Sequence, residues 1–116
     1  MKFEVEYFEK QSGETPVEEF ILAQGKKMRM KIYRILLLLE EFGNGLREPY
    51  SKLLDEGIFE LRVKEGVNIS RILYFFISGR KIILTNGFVK KTQKTPKREV
   101  ILAKKRRLEY MNRRED

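Results

Sequence analysis

The chain has 116 residues, enough for one domain that buries about two thirds of its unfolded surface and too few for two. It contains no cysteine and no histidine, which excludes disulfides, zinc sites built on those ligands, and catalysis by either side chain. The net charge is +8, and residues 90–116 hold 11 Lys and Arg against 4 Asp and Glu, whereas residues 1–89 hold 14 against 13. This local excess attracts polyanions, so nucleic acid, an anionic membrane and an acidic protein are candidate partners.

No segment of the sequence has the pattern of a membrane span or a signal peptide. The longest purely apolar run, residues 35–39, is far shorter than the ~20 residues that a span needs. The N-terminus alternates polar and apolar residues, where a signal peptide would have a continuous apolar core. We therefore expect a soluble protein of the cytoplasm with no membrane partner.

The first half of the chain predicts one strand and two helices. Residues 2–8 alternate apolar and charged side chains, the period-two pattern of a half-buried strand. Residues 15–18, Thr-Pro-Val-Glu, form a capping box that opens a short helix, and Gly25 ends it. Residues 26–42 repeat apolar side chains every three or four positions, which predicts a longer helix that ends at 43–45. The basic outer face of this helix fits either plain solvation or partner binding.

The second half predicts three strands and a last helix. Residues 46–57 show no clear period and close on a turn. Residues 58–64, 68–77 and 81–88 are rich in β-branched and aromatic side chains and are separated by short turns, which favours an antiparallel meander. Thr95 before Pro96 signals the start of a helix that runs to about residue 113. The predicted fold is α+β and covers residues 1–116 as a single domain: N-terminal strand, two helices, three-strand meander in the same sheet, C-terminal helix.

Two arginines lie in the predicted meander. Arg71 lies among aliphatic residues of the middle strand, and its guanidinium requires a partner, either a carboxylate such as Glu60 or a phosphate from a ligand. Arg62 lies on the same side of its strand as Glu60 and Lys64. Whether Arg71 shares that side depends on the strand register, which periodicity does not determine.

The stretch from Leu84 to Val100 joins the last strand to the last helix and carries Lys90, Lys91 and Lys94 among hydroxyl and amide side chains. Such a run is often only a solvated loop, but it also suits phosphate binding. In-line attack by a ribose 2′-hydroxyl places extra negative charge on the phosphate oxygens, which prearranged cations stabilise. Arginine offers a two-pronged donor, and lysine with a lowered pKa can move protons. A ribonuclease without metal, cofactor or histidine is therefore chemically feasible with Arg62, Arg71 and these lysines.

Three motifs together resemble a known family. They are Gly-Ile-Phe-Glu-Leu-Arg from Gly57, Arg-Ile-Leu-Tyr-Phe from Arg71, and Leu-Thr-Asn-Gly-Phe-Val-Lys-Lys-Thr-Gln-Lys-Thr-Pro from Leu84, followed by Glu99, Ile101 and Ala103. In this order and spacing they resemble the HigB-type, phage-derived branch of the RelE/ParE toxin superfamily. The resemblance covers most of the chain, and the predicted element order is similar to that of the RelE fold.

The resemblance implies the toxin of a type II toxin-antitoxin system. Such a toxin is an mRNA interferase, a hydrolytic endoribonuclease that cuts messenger RNA in the ribosomal A site and inhibits translation. Its implied partners are mRNA, the ribosome and a helix-turn-helix, HigA-like antitoxin that neutralises it in a hetero-oligomer.

The family likeness also implies roles for individual residues. Arg62 and Arg71 would stabilise the scissile phosphate, with Lys90 and Lys91 aiding proton transfer or contacting RNA. The implied RNA-binding residues are Lys94, Lys64, Lys97, Arg98 and Asn86. Many relatives carry histidine where this chain has Asn86, so the general base is open among Glu60, a lysine and the ribosome.

Two other functions fit the same sequence. A ParE-like gyrase inhibitor would share the fold and lack nuclease chemistry, although protein contact with gyrase has no need of a phosphate-binding surface. A non-catalytic RNA-binding module would use the basic residues for affinity alone.

Overall fold

In the computed structural model, which describes residues 2–78, 80–91 and 93–114, a five-stranded sheet carries two helices on one face and a third on the other. The elements in chain order are β1 (Glu4–Tyr7), α1 (Pro16–Leu22), α2 (Lys26–Phe42), a 3-10 turn (Gly43–Gly45), β2 (Ser51–Asp55), β3 (Ile58–Glu65), β4 (Asn68–Ile77), β5 (Lys81–Val89) and α3 (Lys97–Arg114). The α+β class and the predicted element order are confirmed, with one strand added.

The strands lie in the order β1-β5-β4-β3-β2. The pairs β2/β3, β3/β4 and β4/β5 are antiparallel, as a meander requires, whereas β1 runs parallel to β5 at the other edge. A parallel neighbour needs a long crossover connection, and the chain between β1 and β5 contains both α1 and α2.

Each face of the sheet has its own apolar layer. Leu61, Ile72 and Leu84 pack with the buried faces of α1 and α2, while Leu73, Phe75 and Ile83 pack on the side where Ala103 of α3 is buried. Alternate residues of β4 therefore contribute to both layers, and this strand is central and covered on both sides. Among the described residues, no helix has the length and apolarity needed to cross a membrane.

Strand β2 was not predicted. It is an edge strand whose only well-buried residue is Ser51, while Leu53 is exposed, and its pairing with β3 shifts register between Leu53 and Asp55. The shift breaks the period-two alternation by which strands are recognised in a sequence. Ser51 is held by a hydrogen bond that it shares with the Tyr74 hydroxyl of β4.

Two predicted helix signals act differently from expectation. The Thr15 hydroxyl donates to the Glu18 carboxylate at 2.8 Å, so the two side chains bond to each other and not to backbone donors. Gly25 does not end α1, which stops at Leu22, but is the N-cap of α2.

Candidate functional site

The register of β3 and β4 determines how the two arginines are arranged. Arg62 is the direct cross-strand partner of Arg71, and Glu60 is the partner of Leu73. Directly opposed residues point to the same side of a sheet, and Leu73 belongs to the layer beneath α3. Arg62, Arg71 and Glu60 therefore share the face of the sheet that α3 covers, next to the beginning of that helix.

The Glu60 carboxylate connects three parts of this region. It is buried, and its Oε1 accepts a hydrogen bond from Arg62 Nε at 3.2 Å and lies 3.8 Å from Arg71 Nε. Its Oε2 accepts a hydrogen bond from the Thr95 hydroxyl. The prediction of Glu60 as a partner for Arg71 is confirmed. A buried carboxylate is tolerated because these cations and donors compensate its lost hydration.

The two guanidinium groups have different surroundings. Arg71 is 7% exposed, and burial lowers its pKa while Glu60 opposes that change. Within the described part of the chain, Arg71 Nε is a buried donor without a hydrogen-bond partner. The Arg62 side chain is 25% exposed, and its Nη1 lies 3.4 Å from the exposed Glu48 carboxylate. Arg62 can thus meet a ligand at the surface, while Arg71 has unused hydrogen-bonding capacity below it.

Lys90, the first residue after strand β5, joins this group. The pairing of β5 with β4 places Asn86 opposite Leu73 but Leu84 opposite Tyr74, so Thr85 is an extra residue in a β-bulge. Beyond the strand, the backbone N–H of Lys90 donates to the carbonyl of Ile69. Burial, and next the positive charge of Arg71, lower the pKa of the Lys90 ammonium, and Glu60 partly opposes them.

A cleft of about 480 Å³ opens in front of these residues, between β2, the loop after β5 and the start of α3. We name it the cationic cleft. Among the described residues that line it, two are acidic, Asp55 and Glu60, and six are basic: Lys52, Arg62, Lys90, Lys94, Lys97 and Lys104. Asp55 is paired with Lys104 at 2.7 Å. The surplus of positive charge in a concave site is suited to a polyanion.

The predicted site residues separate into two groups. Glu60, Arg62, Lys90, Lys94 and Lys97 line the cationic cleft, while Arg71 and Lys64 line an adjoining cavity that Arg62 also borders.

The remaining three line neither space. Lys91 and Arg98 are exposed, whereas Asn86 is 3% exposed and donates through its amide to the Glu99 carboxylate at 2.9 Å. That bond ties β5 to the first turn of α3. The RNA-binding roles expected of Asn86 and Arg98, and the catalytic role expected of Lys91, stay predictions.

The described residues contain no group of three or more Asp, Glu, His or Cys side chains that could hold a metal ion. The chemistry visible in the cleft is that of fixed cations and one lysine with a lowered pKa.

Comparison with protein families identifies the chain. The sequence profile described as phage-derived protein Gp49-like (DUF891) matches residues 19–108, which include α2, the whole meander and most of α3. The chain belongs to this family. Gp49-like proteins are toxins of toxin-antitoxin systems related to RelE and HigB, and membership implies an antitoxin partner. A comparison with curated proteins finds no significant match.

Sequence reasoning missed three residues of this Gp49-like site. Lys52 was overlooked because β2 has no readable period, and Thr95 was taken for a helix-start signal when its hydroxyl binds Glu60. Lys104 could have been found, since it lies seven residues after Lys97 and so on the same face of α3.

Proposed function

We propose that this protein is a HigB-like toxin, a metal-independent and ribosome-dependent mRNA endoribonuclease that inhibits translation in the cytoplasm, with residues 1–116 acting as one domain. The observation that carries the proposal is the direct pairing of Arg62 with Arg71 on the α3 face, with Lys90 lining the cationic cleft beside Arg62. The pair supports the proposal because two like charges opposed on a sheet cost stability, and a phosphate bound by both would offset that cost alongside Glu60.

The proposed reaction is an internal transesterification. The ribose 2′-oxygen forms a bond to phosphorus while the bond from phosphorus to the 5′-oxygen breaks, which yields a 2′,3′-cyclic phosphate and a free 5′-hydroxyl. Arg62 and Arg71 stabilise the charge that develops on the non-bridging oxygens, and protonated Lys90 gives its proton to the departing 5′-oxygen. The lowered pKa of Lys90 makes that transfer easier.

The proton of the 2′-hydroxyl needs a base, and the described cleft offers none that is uncommitted. Glu60 is 1% exposed and accepts from Arg62 and Thr95, while Asp55 is paired with Lys104. We propose that Glu60 positions the arginines and that a ribosomal group or a water held by the ribosome takes the proton. This division of roles gives a chemical reason for ribosome dependence.

The test is expression of the toxin without its partner, followed by mapping of the 5′ ends of cellular messages. We expect growth arrest, cuts within translated messages, and cutting in a reconstituted translation system that leaves the 2′,3′-cyclic phosphate and 5′-hydroxyl ends of the proposed reaction. Arg62→Ala and Arg71→Ala are each expected to reduce cutting by about 100-fold or more. Arg71→Lys keeps the charge but loses the two-pronged donor, so its rate of cutting should lie between those of the original protein and Arg71→Ala.

Controls separate chemistry from folding. Circular dichroism and thermal unfolding must show that each variant remains folded, and Lys105→Ala, which is exposed and outside the cleft, should cut normally. Intact messages accompanied by trapped gyrase–DNA breaks would replace this proposal with the ParE-like one. RNA binding without any cleavage on ribosomes would replace it with the non-catalytic module.

The proposed partner is a helix-turn-helix, HigA-like antitoxin that forms a hetero-oligomer with this chain. Family membership supports an antitoxin, and the helix-turn-helix type follows from the HigB resemblance. Co-expression with the product of the neighbouring gene should relieve growth arrest and yield a complex on affinity purification. Purification of the toxin with an antitoxin of another class would overturn the helix-turn-helix assignment and leave the proposed nuclease activity unchanged.

A further inference from the structure

A second cavity, of about 430 Å³, adjoins the arginine pair. Its lining includes Arg62, Arg71, Lys64 and Tyr50. Strand β2 begins at Ser51, opposite Leu61, so the part of β3 beyond Leu61 has no strand on that edge. The cavity lies beside this open edge. Arg62 borders both concave spaces, this cavity and the cationic cleft.

Tyr50 brings an exposed aromatic ring to this cavity. The residue is 40% exposed. Its backbone is firmly placed, because its carbonyl accepts the N–H of Arg62 at 2.8 Å and its own N–H donates to the carbonyl of Arg47. The next residue, Ser51, is buried and hydrogen-bonded to Tyr74. The backbone of Tyr50 is thus fixed beside that of Arg62.

We infer that Tyr50 is the stacking platform for a nucleobase of single-stranded RNA adjacent to the phosphate bound by Arg62 and Arg71. Proteins bind unpaired bases by stacking them on aromatic side chains while cations hold the backbone, and both parts are present in this cavity. Lys64 supplies a cation for the next phosphate along the strand. The inference rests on the proposed function and deepens it, because it places one side of the scissile phosphate in this cavity and the other side in the cationic cleft.

The test measures binding of a short RNA in which a 2′-deoxynucleotide at the cleavage position prevents cutting. Tyr50→Ala should weaken binding by about tenfold, the loss typical of one stacked base, and Tyr50→Phe should bind within about twofold of the unmodified protein. The matched control is Tyr33→Ala, since Tyr33 is 38% exposed on α2 and lines neither cavity. This control should leave binding unchanged.

A second set of RNAs identifies the stacked base. Each nucleotide in turn is made abasic, and at one position next to the deoxy site the difference between the original protein and Tyr50→Ala should disappear. An equal loss of affinity for Tyr50→Ala on every abasic RNA, or no loss of affinity at all, would refute the proposal that a base stacks on Tyr50. Failure of the original protein to bind any of these RNAs would overturn it as well.

The outcome is separable from that of the proposed function. Binding that depends on Arg62 but not on Tyr50, with cleavage intact on ribosomes, rejects the platform and keeps the nuclease. Binding that depends on Tyr50 at one base, with no cleavage on ribosomes, keeps the platform and rejects the nuclease.

Discussion

The buried carboxylate of Glu60 makes the arginine pair possible. Arg62 and Arg71 are directly opposed on neighbouring strands, an arrangement that like charges disfavour. Glu60 accepts from Arg62 Nε and lies close to Arg71 Nε, and it also receives the Thr95 hydroxyl from the loop before α3. One residue therefore offsets the repulsion and fixes the loop that carries the lysines. The sequence showed Glu60 and Arg62 on one side of a strand but gave no indication of the bond to Thr95.

Lys90 leads to a prediction about pH. Burial and Arg71 place its pKa below the ordinary value of 10.5, so Lys90 loses its charge as the pH rises through that lower value. If its charge helps to hold RNA, affinity for the non-cleavable RNA should fall over this range. Lys90→Arg stays protonated there and should keep its affinity. Binding titrations at a series of alkaline pH values, with Lys105→Arg as the control, provide the measurement. Identical pH profiles for Lys90→Arg and the original protein would show that the loss of charge on Lys90 does not govern RNA binding.

At the scale of elements, α1 packs on β5 through a contact that only glycine permits. A Cβ added at Gly87 would lie 2.5 Å from Phe20 Cδ2. We expect Gly87→Ala to reduce the free energy of unfolding by about 1–3 kcal/mol, as overpacked positions do. Urea denaturation measures it. Gly45→Ala is the matched control, because a Cβ there meets nothing within 4 Å and should change stability by less than about 0.5 kcal/mol. An equal change in the free energy of unfolding for Gly87→Ala and Gly45→Ala would mean that Phe20 moves aside at little cost.

The elements differ in how well the sequence predicts them. Helix α2 and strand β3 have a regular apolar period, and β4 and β5 are rich in β-branched and aromatic residues between clear turns, so all four were predicted nearly in full. Strand β2 was invisible because it is an irregular edge strand that depends on β3 for its conformation. The pairing of Arg62 with Arg71 was left open for a different reason, since register is set by turns and packing across strands.

At the scale of the whole molecule, the basic side chains of the C-terminal quarter lie in two different settings. Lys90, Lys94, Lys97 and Lys104 line the cationic cleft. Three arginines of α3 instead donate to backbone carbonyls elsewhere in the chain: Arg106 to Thr85, Arg107 to Glu56 and Arg113 to Glu9. These bonds attach the helix to the loops and strands beneath it. Composition alone could not separate charges that meet a partner from charges that hold α3 in place.

This division predicts how RNA binding depends on salt. Each phosphate contact of a single strand contributes about 0.7 to the slope of log affinity against log salt concentration. Lys97→Gln, at the cleft, should lower the slope by roughly that amount. Lys105→Gln, equally exposed on the same helix but outside the cleft, should leave it unchanged. Fluorescence anisotropy at several salt concentrations measures both, and equal slopes for the two variants would point to a diffuse basic surface.

The extra residue in β5 has a consequence for the whole surface. Side chains alternate between the two faces of a strand, and the bulge at Thr85 reverses that alternation for every residue after it. Phe88 lies opposite Arg71, and Lys90 follows on the same side, because the bulge absorbs this additional residue. A regular ladder that included Thr85 would instead turn the Lys90 side chain toward α1 and α2. The side of the sheet that Lys90 occupies thus depends on an irregularity in the backbone of β5 as well as on the residue that stands there.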